Sequence, residues 1–162
     1  MKCTQCGSTL RVAGHTHRYV ESGLSNVFLH GVEVRKCSKC GEEEVAIPNV
    51  TGLHKCLAGM IVGRKSAMTR EEFRFLRQFL GRSSQDFAKL IDVSAETVSR
   101  WQSGQHEIPR SVDLLVRVLV MRTEARIDYT DEIFEKMRPQ PARAPRLALR
   151  LQGDNWQAEK AA

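Results

Sequence analysis

No apolar run in this chain reaches the ~18 residues that a membrane-spanning helix needs. The opening stretch, Met1-Lys2-Cys3-Thr4-Gln5-Cys6-Gly7, is polar and has no signal-peptide core, so a cytoplasmic protein with no membrane partner is expected. No internal repeat stands out. There is no carboxylate cluster, phosphate-cradling glycine loop or nucleophile constellation, which argues against an enzyme. Cysteine occurs five times, an odd number that argues against a fully paired disulfide framework.

The 162 residues allow one domain or two small ones. The formal charge is +6, but it is unevenly placed. Residues 1–67 carry nine Lys/Arg against five acids, residues 68–137 eleven against twelve, and residues 138–162 five against two. The middle of the chain is therefore not basic overall. Phosphate affinity there must come from a one-sided arrangement of charge.

Four cysteines form two matched pairs, Cys3-x-x-Cys6-Gly7 and Cys37-x-x-Cys40-Gly41. A two-residue spacer lets both thiolates of one turn face the same ion. The following glycine lets the backbone curl so that amide N–H groups can face the sulfurs. Four thiolates close a tetrahedral shell, so Cys3, Cys6, Cys37 and Cys40 are expected to hold one structural Zn2+, favoured over iron by ligand preference. A closed shell has no open position to activate water. A redox dithiol is the competing use of one such pair, less fitting for two with matched glycines. Cys56 falls outside the pairs and reads as a small packing residue. His15, His17, His30 and His54 read as surface or packing residues.

Between the pairs, residues 17–21 and 27–35 read as strands around a turn-rich Ser22–Asn26, with Gly31 marking a bulge or bend. Val50, Leu53, Leu57, Ile61 and Val62 recur at helical spacing, which predicts a helix over residues 49–62. Further on, Thr69, Ser83 and Ser94 each precede a helical pattern as caps, and Gly81 and Gly104 end two of them. Phe73, Leu76, Phe79 and Leu80 are expected inward on the first, Phe87, Ala88, Leu90 and Ile91 on the second, Val98 and Trp101 on the third. A helix from Pro109 turns Val112, Leu115, Val116 and Leu119 inward. A last short helix from Thr130 would bury Ile133, Phe134 and Met137. Beyond it, Pro and Arg dominate and the pattern reads as a flexible tail. Leu147, Leu149 and Leu151 alternate with Ala and Arg over too short a stretch to define a strand.

The helix from Ser83, the turn at Asp92-Val93 and the helix from Ser94 have helix-turn-helix dimensions. The outward set of the second helix is Ala95, Glu96, Thr97, Ser99 and Arg100. Arg100 is the leading base reader, because its fork matches the guanine O6/N7 edge. Glu96 either accepts from a cytosine amino group or orients Arg100 one turn away; as a bare pair, the two also fit a solvated ion pair. Thr97 and Ser99 suit phosphates, Gln85 can donate to the DNA backbone from a helix N-terminus, and Arg82, Gln102 and Arg110 are flanking phosphate candidates.

The run Ser84-Gln85-x-Phe87-Ala88, Leu90-Ile91, Val93-Ser94-x-x-Thr97-Val98-Ser99-Arg100-Trp101-x-x-Gly104 resembles the Cro/repressor-type (XRE) helix-turn-helix family. With the cysteine knuckles in front, the order over residues 1–137 resembles the MqsA antitoxin family, with its YgiT-type zinc finger. The resemblance implies an antitoxin of a type II toxin–antitoxin module. Its zinc domain would neutralise a partner toxin. Its helical domain would form a homodimer and repress its own operon by binding a palindromic double-stranded DNA operator. It places the family's base-reading pair on Glu96 and Arg100. Glu96 departs from the neutral amide typical there, which implies a different operator. A stand-alone zinc-finger transcription regulator with no toxin fits the same motifs.

The expected fold is α+β: a small zinc-bound β-module with one helix, then an all-α five-helix domain. The expected division is residues 1–63 for zinc binding, a linker at 64–68, a DNA-binding domain at 69–137 and a flexible basic tail at 138–162.

Overall fold

Val27–Cys37 forms the longest strand, β2, and the other strands assemble on it. In a computed structural model describing residues 1–123 and 144–159, β1 (Leu10–Arg18) pairs antiparallel along one side of β2. The other side is shared. Its far half takes the short β3 (Glu43–Val45), antiparallel, and its near half takes β4 (Leu147–Gln152), parallel. A two-residue turn at Gly153-Asp154, with Gly153 at φ +59°, returns the chain as β5 (Asn155–Glu159). The result is one five-stranded sheet.

Five helices complete the described elements: α1 (Val50–Val62), α2 (Arg70–Phe79), α3 (Ser84–Leu90), α4 (Ala95–Ser103) and α5 (Arg110–Arg122). No helix among the described residues is long and apolar enough to cross a membrane.

Two compact units result. One comprises Met1–Val20, Ser25–Leu53 and Arg146–Ala162; the other comprises Glu21–Leu24 and His54–Pro145. In the first, Val27 and Leu29 point into the core, and the buried set then moves to Val32 and Val34. Strict alternation would bury the residue at 31. Gly31, at φ +83°, absorbs the slip, and the ladder to β1 shifts register around Gly14. Leu147, Leu149 and Trp156 join this core, and the Trp156 indole N–H donates to the Pro48 carbonyl at 3.1 Å.

This overturns the expected fold. Strands stand at both ends of the chain in one mixed sheet, so no all-α domain follows a separate β-module. The flexible tail expected at 138–162 is likewise corrected over 147–159, where a hairpin forms. The physical reason is non-local. Six residues of alternating Leu are too few to define a strand alone, but Leu147–Arg150 finds its partner in Val27–His30. The helix expected from Thr130, with Ile133, Phe134 and Met137, lies outside the described residues.

In the second unit, Phe73 of α2 is fully buried and meets the rings of Phe87 (α3) and Trp101 (α4) edge-on at 5.5 and 6.0 Å. Thr69 and Glu72 form a reciprocal capping box at the start of α2. Phe75, not among the expected core residues, is buried, with its ring perpendicular to that of His54 at 5.6 Å. Leu90 and Leu115, expected inward, are 49% and 37% exposed.

A second buried network lies at the end of α1. The Arg117 side chain of α5 is fully buried. It pairs with Asp113 one turn earlier and donates to the carbonyls of Val62 (2.8 Å), Arg64 (2.6 Å) and Ser66 (2.9 Å), with a longer contact to Ile61 (3.4 Å). Asp113 in turn accepts from the Met68 amide at 3.0 Å. The last carbonyls of a helix have no intrahelical donor, and here a guanidinium supplies one.

Candidate metal centre and nucleic-acid interface

The four cysteines of the two knuckles converge in the first unit. Cys3 and Cys37 are buried, Cys6 is half-buried and Cys40 is exposed, and none of the five cysteines is joined in a disulfide. The four sulfurs lie within 4.8 Å of one another, with Cys3–Cys40 and Cys6–Cys37 at 3.5 Å. Four thiolates around one ion at a metal–sulfur distance near 2.3 Å would stand about 3.8 Å apart, inside this range. The cluster could therefore hold a metal ion. Among the described residues, no histidine or carboxylate joins it.

The knuckles match bond for bond. The Gly7 amide donates to the Cys3 carbonyl at 2.9 Å, and the Gly41 amide to the Cys37 carbonyl at 3.0 Å. The Cys3 amide donates to the Ser8 carbonyl and the Cys37 amide to the Glu42 carbonyl, each at 2.8 Å. Gly7 and Gly41 sit at φ +72° and +77°, and a Cβ at either would meet nothing within 4 Å. Backbone handedness, not space, calls for glycine at both. The first knuckle is tied to β3 by Glu44, which accepts from the amide and hydroxyl of Thr4 at 3.0 and 3.1 Å.

The residue after each glycine turns its N–H to the second sulfur of its pair: Ser8 to Cys6, and Glu42 to Cys40. The Ser8 hydroxyl, then its amide and the Cys37 thiol, hold Cys6 down to about 6. At Cys40 the Glu42 amide lowers the pKa, but desolvation and hydrogen bonds with Cys3, Cys6 and Cys37 outweigh it and push it up to about 12. Four sulfurs this close resist carrying four negative charges without a cation among them.

Cys56 stands apart, half-buried on α1, with burial pushing its thiol upward. His30 shares a hydrogen bond of 3.1 Å with the Thr16 hydroxyl.

The second candidate site lies in the other unit. Ser83 caps α3 by accepting from the Asp86 amide at 3.0 Å, and Ser94 caps α4 by accepting from the Thr97 amide at 3.1 Å. Between them Asp92 takes the left-handed conformation, φ +55°, and the Val93 amide closes the turn on the Ala88 carbonyl at 3.0 Å. On α4, Val98 and Trp101 face inward. Ala95, Glu96, Ser99 and Arg100 are exposed, and Thr97 is half-buried with its hydroxyl 2.8 Å from that of Ser94. Arg100 donates to Glu96 across one turn, and both side chains remain largely in solvent. Arg82, Gln85 and Arg110 are exposed as well.

Gln102 is engaged internally. Its side chain donates to the Ser84 hydroxyl at 3.2 Å and accepts from Arg77 at 3.5 Å. Sequence reasoning passed over Arg70, Arg74 and Arg77, although their spacing of four and three residues places them on one face of a helix. It also passed over the Asp113–Arg117 pair at helical spacing. No family model matches the chain, and neither a curated protein nor a solved structure was found to match it.

Proposed function

We propose that the chain is a sequence-specific double-stranded-DNA-binding repressor with a structural zinc centre, acting as the antitoxin of a type II toxin–antitoxin module. The observation that carries the DNA reading is α4: a short, capped helix after a tight turn, with Val98 and Trp101 inward and Glu96, Ser99 and Arg100 outward. A helix so mounted can enter a major groove with its first turns. Arg100 reads a guanine and Glu96 orients it, which their contact on the helix surface supports. Thr97, Ser99, Gln85, Arg82 and Arg110 reach phosphates, while Gln102 is held by Ser84 and Arg77 and supports the helix instead.

One such helix reads few base pairs, so the repressor binds a palindrome as a homodimer. The exposed Leu90 and Leu115 of the helical unit supply apolar surface for the second copy. The ion is zinc, because four thiolates in a closed tetrahedral shell are its structural signature. The toxin partner rests on the resemblance to the MqsA family and needs no chemistry from this chain, only occlusion.

A stand-alone regulator is the second reading. The β4–β5 hairpin favours it, since these strands extend beyond the resemblance and build into the same sheet as the knuckles. Two experiments decide. Selection of duplexes from a random pool should return a palindrome, and Arg100→Ala should cost ~1–3 kcal/mol and relax one position of it. Unchanged affinity and preference in a gel-shift titration would remove Arg100 from the interface. Co-expression with the neighbouring gene product should rescue growth from it if that product is a toxin; no adjacent toxic product would favour the stand-alone regulator.

A further inference from the structure

The C-terminal end of α4 presents four carbonyls with no intrahelical donor, and each of them is accounted for. Those of Arg100 and Trp101 accept from the turn that follows, through the amides of Gly104, Gln105 and His106. Those of Gln102 and Ser103 accept from another helix. Arg74 donates to the Gln102 carbonyl at 3.4 Å and Arg70 to the Ser103 carbonyl at 3.1 Å. Arg77, one turn further along the same face of α2, reaches the Gln102 side-chain oxygen and also holds the Arg82 carbonyl at the start of α3. Gln102 passes the contact on to Ser84 of α3. Three guanidinium groups from one stripe thus meet the negative end of one helix dipole.

Gly104 fits this arrangement. It takes φ +79°, and a Cβ there would stand 2.7 Å from Arg70 Nη1. Burial lowers the pKa of Arg77, with Arg74 adding repulsion. The carbonyl oxygens and the helix end that these groups face offset that repulsion.

We infer that Arg70, Arg74 and Arg77 are positioning residues: from one face of α2 they grip the end of α4, fix its angle to α3, and so govern discrimination among DNA sequences without touching a base. The specificity half of this inference rests on the DNA reading above; the orientation half does not. A recognition helix held at one end pivots at the other, and small tilts move Arg100 off a base edge. The phosphate contacts of Arg82 and Gln85 lie outside α4, so they do not move with such a tilt, and they carry no sequence information.

The test uses the full chain with Arg70→Met and Arg74→Met together, since both residues are exposed and the apolar stem is kept, and Arg77→Met separately. Residual dipolar couplings report the direction of the α4 amides against those of α3 without any DNA. They should shift in the double variant. The affinity ratio between the selected duplex and a scrambled one should fall about tenfold or more, the scale of one misread base pair. The salt dependence of binding should keep its slope. A slope lower by about one per arginine removed, at an unchanged ratio, would make them phosphate contacts and overturn the inference. Unshifted couplings would overturn it whatever the DNA result, and shifted couplings with an intact ratio would overturn its specificity half. A wild-type chain with no sequence preference, but with couplings that shift in the variant, would remove the DNA reading and uphold the orientation of α4 by the arginines.

Discussion

Arg117 offers the sharpest test of what holds the helical unit together. Replacing it with Met keeps the stem and deletes the guanidinium. The loss is larger than one ion pair. Asp113, only 6% exposed, would keep one donor among the described residues, the Met68 amide. The carbonyls of Val62, Arg64 and Ser66 would lose the donor that Arg117 provides. Removing one member of a buried pair costs ~3–5 kcal/mol, because the partner charge stays buried and uncompensated. In a unit of this size that corresponds to a fall in Tm of roughly 15–30 °C. Chemical denaturation followed by the helical circular dichroism signal measures it. The double variant Arg117→Met/Asp113→Leu should recover a large part of the loss, since neither charge then remains, and the cycle gives their coupling. A cost below ~1 kcal/mol for Arg117→Met alone would mean that water replaces the guanidinium easily, and that the network is not what fastens the end of α1.

Three further outcomes are expected. Chelation, or Cys37→Ser, should unfold the sheet unit, red-shift Trp156 emission and expose all four knuckle thiols to alkylation, while the helical signal of the other unit persists; thiols that alkylate equally fast before chelation would rule out a bound ion. Trp156→Ala should destabilise the sheet unit by ~3–5 kcal/mol, since it empties a buried site and frees the Pro48 carbonyl, and urea unfolding of the metal-loaded protein reads the change. Burial against the Phe75 ring lowers the pKa of His54, so the unfolded chain binds its proton more readily than the folded one. Stability is then fully present above the ordinary histidine pKa and falls as pH drops below it; His54→Leu should flatten that part of the stability–pH curve, and an unchanged slope would show that the proton enters without cost.

The knuckles were legible because two matched Cys-x-x-Cys-Gly motifs specify a local backbone and a chemistry at once. The α3–α4 unit was legible for the same reason: Ser83, Ser94 and Gly104 act within one turn of where they stand. What escaped was decided between distant residues. Leu147, Leu149 and Leu151 spell a strand only once Val27–His30 is there to pair with. Leu90 and Leu115 sit at positions that periodicity assigns to the core, yet they stand 49% and 37% exposed, because a repeat along one helix does not say which neighbours will cover it. The two arginine networks were invisible because a surface stripe and a carbonyl-capping stripe have the same spacing. Only the position of the receiving helix end separates them.

The parallel pairing of β2 with β4 also constrains how the protein is made. Residues 27–30 leave the ribosome roughly 120 residues ahead of their partner, on the order of ten seconds at ordinary rates of synthesis. Throughout that interval the nascent chain carries an open strand edge at Val27-Phe28-Leu29-His30, a template for association with other chains. A message truncated before codon 147 would make that edge permanent. Its product should be cleared or aggregate even with every metal ligand and the whole of α4 intact.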